Sequence, residues 1–474
     1  MSFASYSYIV FLLVAFIAHW SLPSRLRKPF LVAASYAFYA TWDARFCALL
    51  LAVTLFSWGF GRFLARHEAP ERWLSLGIAV ELIPLFYFKY TNFALGTVGT
   101  LGAALGFDWK VGPLSIAVPL GVSFFCFQGV AYLVDVSTGS RPIERLPDFV
   151  LFKAFWPQLI AGPIIRPDEI HEQLERPRTL DHGDLMVGGE RIVHGLFKKV
   201  VVADGVGAIV DVVFAQGPTP GLVDALVGAV GFGLQIYFDF SGYSDIAVGS
   251  ARLFGYRFPE NFDWPYTATS PQEFWNRWHM TLSSWIRSYI FTPLSFAMRR
   301  TPRLAPLSLV LAMALCGLWH GPAWTFVLWG VWHGVLLVLN RTLLRRFFAP
   351  TTGSRAGART VAAWLVTFGC VCVGWILFRS RSLEQVGRML SAIVTLRGGV
   401  RPMIARENDV LIVLSGVAAL FSAQLLRGRL RVIEERLAER PSTRRFARAL
   451  MLVVGLTLAI VLERDSQSFV YFQF

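Results

Sequence analysis

The chain has 474 residues, of which 55% are hydrophobic and 16% charged, with a mean hydropathy of +0.51. An average soluble protein carries roughly 25% charged residues, so this composition excludes a soluble globular protein. The net charge of +14 does not indicate nucleic-acid binding, because the arginines lie between apolar runs, where basic residues orient membrane spans. We expect an all-α, polytopic integral membrane protein in contact with lipid, with a single membrane-embedded domain over residues 1–474.

The first part of the chain is a block of apolar runs. Residues 1–22 lack a basic leader and an Ala-x-Ala cleavage site, which favours a retained first span over a signal peptide. Arg25, Arg27 and Lys28 follow this run and favour an outside N-terminus. The run at 29–42 is shorter than the usual span of about 20 residues, so we expect it to be tilted, interfacial or bent. The runs of this block cover residues 5–22, 29–42, 46–64, 73–88, 92–106 and 114–134.

The middle of the chain mixes polar and apolar stretches. Residues 149–165 are apolar but are interrupted by prolines and glycine, which favours a re-entrant or interfacial segment over a full span. Residues 166–191 are charged, and we expect them to lie in water. A helical period follows over 190–214, and a further span is predicted over 221–240.

The clearest helix start is Ser270-Pro-Gln-Glu273. Serine at the N-cap, proline at the first helical position and glutamate at the third form a capping box. We predict one amphipathic helix from here through His279 toward Tyr289, at or within the membrane interface. On that helix, His279 would share a stripe with Asn276 and Ser283.

The final third contains apolar runs separated by arginine-rich connections. If every run crosses the membrane, these connections cannot all be cytosolic. The positive-inside rule therefore does not determine the topology of this region. The runs cover residues 304–318, 323–340, 360–378, 408–426 and 446–462.

Residues 317–334 combine His320 and His333 with four tryptophans and a Gly-Pro break. Placing a titratable ring within an apolar membrane sequence costs free energy, so we interpret His320 as a candidate functional residue. The alternative is a histidine satisfied by a neighbouring backbone carbonyl. We interpret His333 as structural. Trp319 and Trp324 are candidate substrate contacts, with packing or interfacial anchoring as the alternative.

Several enzyme classes have no signature in the chain. Phosphate-binding loops, dinucleotide fingerprints, His-Glu-x-x-His motifs and metal-ligand spacings are absent, so we expect neither a metal nor a bound cofactor. What remains is His279 and His320, in aromatic surroundings. A neutral imidazole in a dry cavity suits general-base chemistry on an attacking hydroxyl.

Several motifs together resemble the membrane-bound O-acyltransferase family, in its bacterial branch of alginate O-acetyltransferase membrane subunits and teichoic acid D-alanine transfer proteins. The matching stretches are Pro119–Phe124 with Tyr132–Asp135, Pro157–Pro163, Ser241–Ala247, Phe254–Phe262, Glu273–Trp285, Leu318–Gly321 and Val470–Phe474. The resemblance implies a bundle of about 11 helices, some re-entrant or interfacial, around a central tunnel. It also implies an essential histidine at His320 and a second polar site at Asn276, Arg277 and His279.

The resemblance therefore implies an O-acyltransferase in the inner (cytoplasmic) membrane. The donor would be acetyl-CoA or another cytosolic acyl thioester, and the acceptor an exported polysaccharide or cell-wall glycan, reached directly or through a secreted or periplasmic partner protein. His320 would act as general base, His279 with Asn276 would position or polarise the acyl carbonyl, and Arg277 would face an anionic donor. The alternative is a non-catalytic conduit, or a membrane anchor for a polysaccharide-modifying complex.

Overall fold

A computed structural model of the chain describes residues 1–107, 112–215, 219–301, 303–348, 356–399 and 401–438, together with 453–455, 457 and 469. Within these ranges the ordered structure is helical and contains no strand, which confirms the all-α class. The predicted run at 446–462 lies mostly outside the described residues, and the closing motif Val470–Phe474 lies entirely outside them.

The α-helices are numbered in chain order. They are α1 Tyr6–Ser21, α2 Ser24–Asp43, α3 Arg45–Arg66, α4 Glu71–Leu85, α5 Thr91–Ala104, α6 Val122–Ser137, α7 Leu146–Ala154, α8 Trp156–Leu159, α9 Pro167–Glu175, α10 His182–Leu196, α11 Asp204–Val213, α12 Leu222–Leu253, α13 Pro271–Arg277, α14 Met280–Ile286, α15 Thr292–Ala297, α16 Ala305–His320, α17 Trp324–Arg341, α18 Arg345–Phe348, α19 Ala356–Arg379, α20 Leu383–Val394 and α21 Glu407–Ala438. Turns of π-helix occupy Phe86–Tyr90, Phe197–Ala203 and Arg287–Phe291, and 3₁₀ turns occupy Pro265–Thr267 and Met298–Arg300.

Among the described residues, four helical stretches are long and apolar enough to cross a membrane. The stretch Glu71–Ala104 runs through α4, a π-helical turn and α5 without interruption. The other three are Arg45–Arg66, Leu222–Leu253 and Gly357–Arg379. Shorter apolar helices are Tyr6–Ser21, Val122–Ser137 and Ala305–His320. The protein is a polytopic membrane protein, as its composition predicts.

Two predicted boundaries are wrong because polar residues are incorporated into helices. The run expected at 29–42 belongs to the longer α2, whose first turns include Lys28, and the Lys28 ammonium lies 2.8 Å from the Asp148 carboxylate. The span expected at 221–240 continues to Leu253 as the 32-residue helix α12. Residues 149–165 form no full-length helix: α7 ends at Ala154 and α8 has four residues.

The described residues form two compact units. The first comprises Met1–Arg191 with Ile246–Pro259, and the second comprises Ile192–Asp245 with Glu260–Phe474. In the first unit, α3, α4, α6 and α7 surround a fully buried ion pair, with Lys153 Nζ 2.6 Å from Glu81 Oε1. Ser57 hydrogen-bonds both members of the pair, so the two buried charges are neutralised and satisfied.

In the second unit, α16 and α17 form a close antiparallel hairpin. A Cβ at Gly317 would overlap the carbonyl oxygen of Phe326, and one at Gly330 would overlap that of Met313. Glycine therefore permits the two backbones to touch. The hairpin turns at Gly321, directly after the last residue of α16, His320.

Candidate active site around two histidines

The segment that carries His279 begins as predicted and then breaks. The Ser270 hydroxyl accepts a hydrogen bond from the Glu273 backbone N–H at 3.1 Å, which confirms the N-cap. The Glu273 carboxylate accepts from the backbone N–H of Thr269, at 2.8 Å. The prediction of one helix as far as Tyr289 is wrong, because α13 ends at Arg277 and α14 begins at Met280.

His279 itself forms the break. Its φ of 42° is in the left-handed region, which costs a non-glycine residue about 1–3 kcal/mol and occurs where the surroundings enforce it. Hydrogen bonds to Asn261 hold the backbone in this conformation. Its backbone oxygen accepts from the Met280 N–H at 2.9 Å, and its side-chain oxygen accepts from the Thr281 hydroxyl at 2.9 Å.

The same amide oxygen determines the tautomer of His279. It lies 3.0 Å from His279 Nδ1, and since a carbonyl oxygen only accepts, Nδ1 carries the proton and Nε2 is an acceptor. His279 is fully buried, and burial lowers its pKa to about 3, so the ring is neutral at pH 7. Its Nε2 has no hydrogen-bond partner among the described residues. His279 therefore presents a buried lone pair, which suits a base or an acceptor rather than a donor to a carbonyl.

His320 lies at the end of α16 in an aromatic enclosure and is 4% exposed. Its ring centroid is 4.8 Å from that of Trp319, 5.0 Å from Trp329 and 5.3 Å from Phe378, in edge-to-face arrangements. Aromatic walls of this kind exclude water and strengthen electrostatic interactions inside the enclosure.

Trp319 connects the two histidines. Its ring centroid lies 6.2 Å from that of His279 and 4.8 Å from that of His320. Trp319 is buried, so one indole separates two buried imidazoles that lie 41 positions apart in the sequence. The structure thus brings together three of the predicted site residues.

The other predicted site residues lie apart from this centre. Asn276 is exposed, and its side-chain oxygen accepts from Gln272 at 3.3 Å and from Arg287 at 3.1 Å rather than contacting His279. Arg277 forms an ion pair with Glu273 at 2.7 Å. Trp324 begins α17 and is 51% exposed. The break at His279 accounts for the position of Asn276, because α14 does not continue the helical phase of α13.

His333 occupies a packing position. Its Nδ1 accepts a hydrogen bond from the Trp275 indole at 3.3 Å, and its ring stacks on Phe274 with centroids 6.1 Å apart. A Cβ on Gly374 would lie 2.7 Å from His333 Nε2, so that nitrogen faces a close helix surface. These contacts support the structural interpretation of His333.

Asn261 is the site residue that sequence reasoning missed. It belongs to the Phe254–Phe262 motif, yet nothing in that motif indicates a partner 18 positions further along the chain. In the part of the chain that the structure describes, no group of three or more His, Cys, Asp or Glu residues is placed to hold a metal ion.

Comparisons with known proteins agree with the resemblance carried by the sequence motifs. The profile of the membrane-bound O-acyltransferase family matches residues 143–378. The chain is 40% identical to a probable alginate O-acetylase of Azotobacter vinelandii, over 83% of this chain and 78% of that protein. It is 32% identical to a peptidoglycan O-acetyltransferase of Helicobacter pylori, over 82% and 78%. A teichoic acid D-alanyltransferase of Streptococcus thermophilus is 30% identical over 48% of this chain and 58% of that protein.

Proposed function

Since this chain belongs to the membrane-bound O-acyltransferase family and is an acyltransferase, we propose that it acylates hydroxyls of an extracytoplasmic polysaccharide or cell-wall glycan. Acetyl is the favoured group. Relatives that align with more than four fifths of the chain are named for O-acetylation, whereas the D-alanyltransferase of Streptococcus thermophilus aligns with 48% of it.

The observation that carries the proposal is the enclosure of His320 and His279 around Trp319. Acyl transfer from a thioester to a hydroxyl requires a group that takes the hydroxyl proton as the oxygen attacks. It also requires exclusion of water, which would otherwise hydrolyse the thioester. A pair of buried imidazoles behind aromatic walls meets both requirements.

In the proposed reaction, His320 removes the proton of the acceptor hydroxyl while its oxygen attacks the thioester carbonyl carbon. A C–O bond forms, the C–S bond breaks, and the proton passes from the imidazolium to the departing thiolate. The products are an ester and a free thiol. The lone pair at His279 Nε2 orients a donor N–H or the acceptor O–H, since it cannot donate to the carbonyl itself.

The donor in this proposal is acetyl-CoA or another cytosolic acyl thioester, and the protein lies in the inner membrane with its site open to both sides of the bilayer through a tunnel. The acceptor is the glycan itself or a secreted or periplasmic partner protein that completes the transfer.

The test compares ester-linked acyl groups on surface glycans extracted from cells with and without the gene. We expect these esters to disappear with the gene and to return when it is restored. Purified protein in proteoliposomes should also consume a radiolabelled acetyl thioester only when an acceptor is present. Unchanged glycan esters together with no thioester consumption would support the alternative of a non-catalytic conduit or anchor.

A further inference from the structure

A cleft in the second unit lies beside the histidine enclosure, since its lining includes Trp275 and Cys316. It is open to the surroundings, with a cavity volume of about 80 Å³, and is formed by α13, α14, the following π-helical turn, α16 and α17. One wall is apolar and includes Leu309, Met313 and Cys316, on one face of α16. The polar end is formed by Gln272, Arg287 and Arg341. The cleft therefore has the two chemical halves of an amphiphile-binding site.

The two arginines at the polar end are held by neutral amides. Arg341 donates from Nη2 to Gln272 Oε1 at 2.8 Å, and Arg287 donates from Nη2 to Asn276 Oδ1 at 3.1 Å. The Gln272 amide in turn donates to Asn276 Oδ1 at 3.3 Å, so the four side chains form one network. Most of the guanidinium N–H groups have no acceptor among the described residues and are available to a ligand.

This network contains no carboxylate. Among the described residues, neither Arg287 nor Arg341 forms an ion pair, although Arg277 in the adjacent turn pairs with Glu273 at 2.7 Å. Two formal positive charges therefore converge at one end of an apolar cleft without a counter-ion in the part of the chain that the structure describes. Planar guanidinium groups of this kind bind phosphate oxygens through paired N–H donors.

The position of the pair in the fold agrees with a phosphate ligand. Arg341 is the last residue of α17, and α16, which packs antiparallel to it, begins at Ala305. The polar end thus lies at the end of an apolar hairpin, where arginine meets the phosphate layer of a bilayer. From there the apolar wall leads to Cys316, one helical turn before His320.

We propose that this cleft binds a phosphate ester that carries an extended chain. The phosphate lies between Arg287 and Arg341, and the chain runs along Leu309 and Met313 toward Cys316. Two sources have this chemistry: an anionic membrane phospholipid, and the phosphate-bearing arm of a coenzyme A thioester. The proposal does not depend on which hydroxyl the enzyme acylates.

The test uses the full-length protein in nanodiscs of phosphatidylcholine. Binding of phosphatidylglycerol, and separately of coenzyme A, is measured by native mass spectrometry and titration. The variant Arg287→Gln/Arg341→Gln should bind the ligand at least about tenfold more weakly, since it loses charge-assisted hydrogen bonds. The control Arg299→Gln/Arg300→Gln removes the same charge from a turn outside the cleft and should bind like the wild type.

A cleft-filling variant, Met313→Trp, keeps both arginines and should also weaken binding, so the proposal can be tested even if the double arginine variant fails to fold. Selective binding of phosphatidylglycerol alone would identify the ligand as an anionic membrane phospholipid. Selective binding of coenzyme A alone would identify it as the phosphate-bearing arm of a coenzyme A thioester. The proposal is overturned if the wild type binds neither probe more tightly than the arginine variant does. It is equally overturned if the control variant loses binding to the same extent.

Discussion

Two buried polar clusters, one in each unit, differ in how fully their members are hydrogen-bonded. In the first unit, Lys153, Glu81 and Ser57 satisfy one another completely, at a fully buried ion pair. In the second unit, His279 is equally buried, yet only one of its ring nitrogens has a hydrogen-bond partner in the described chain. A closed cluster holds helices together, whereas a buried lone pair that meets no hydrogen-bond donor among the described residues is available to a substrate.

The comparison predicts that substitutions in the two clusters have two different effects. Changes at the histidine centre should remove activity and leave the folded protein intact. Changes at the ion pair should remove folded protein and leave the activity of each surviving molecule intact.

The largest effect is expected from His320→Ala. Loss of a general base should slow acyl transfer by about 10²- to 10⁴-fold, with an unchanged melting temperature. The matched control is His19→Ala, because His19 is a buried histidine of α1, in the first unit, that packs on Trp20 and Phe254. Thioester turnover by purified variants measures the difference. Equal losses of activity from both substitutions would show that activity depends on the burial of these histidines and not on general-base chemistry.

Lys153→Met should destabilise the protein by about 3–5 kcal/mol, because it leaves the Glu81 carboxylate buried without its cation. We expect a large loss of monodisperse protein after detergent extraction and a lower melting temperature. Adding Glu81→Gln to this variant should recover part of the loss, since the uncompensated charge is removed. A normal melting temperature for Lys153→Met would mean that the ion pair does not hold the first unit together.

Asn261→Leu should slow turnover by about 100-fold, because the side chain at position 261 then no longer fixes the tautomer or the backbone position of His279. Asn261→Asp keeps an acceptor at Nδ1 and adds a negative charge, which favours the charged imidazolium and raises the pKa of His279. The acidic limb of its pH–rate profile should therefore move to higher pH. If both variants have the wild-type profile, Asn261 does not position His279.

Gly317→Ala is expected to have the smallest effect, a loss of about 1–3 kcal/mol from overpacking at the hairpin that presents His320. Its Cβ would overlap the Phe326 carbonyl oxygen. Gly369→Ala in α19 is the control, because a Cβ there meets nothing within 4 Å. Thermal unfolding should separate the two, and equal melting temperatures would argue against close backbone contact between α16 and α17.

Local signals predicted much of this structure. The apolar runs identified the membrane class, and Ser270 with Glu273 identified the start of α13, because caps depend on residues within one turn. The break at His279 was not predictable, since its left-handed backbone depends on Asn261, 18 positions earlier. For the same reason the stripe expected to join Asn276 to His279 does not exist, and Asn276 belongs to the arginine network of the neighbouring cleft.

The central claim is that His320 and His279 form one reaction centre around Trp319. The most direct measurement is the rate of acyl transfer by His320→Ala, by His279→Ala and by the double variant, each in the same proteoliposomes. Residues that act as a unit have non-additive effects, so we predict that the double variant is no slower than the slower single variant. Losses that multiply in the double variant would show that the two histidines act independently and would contradict the claim.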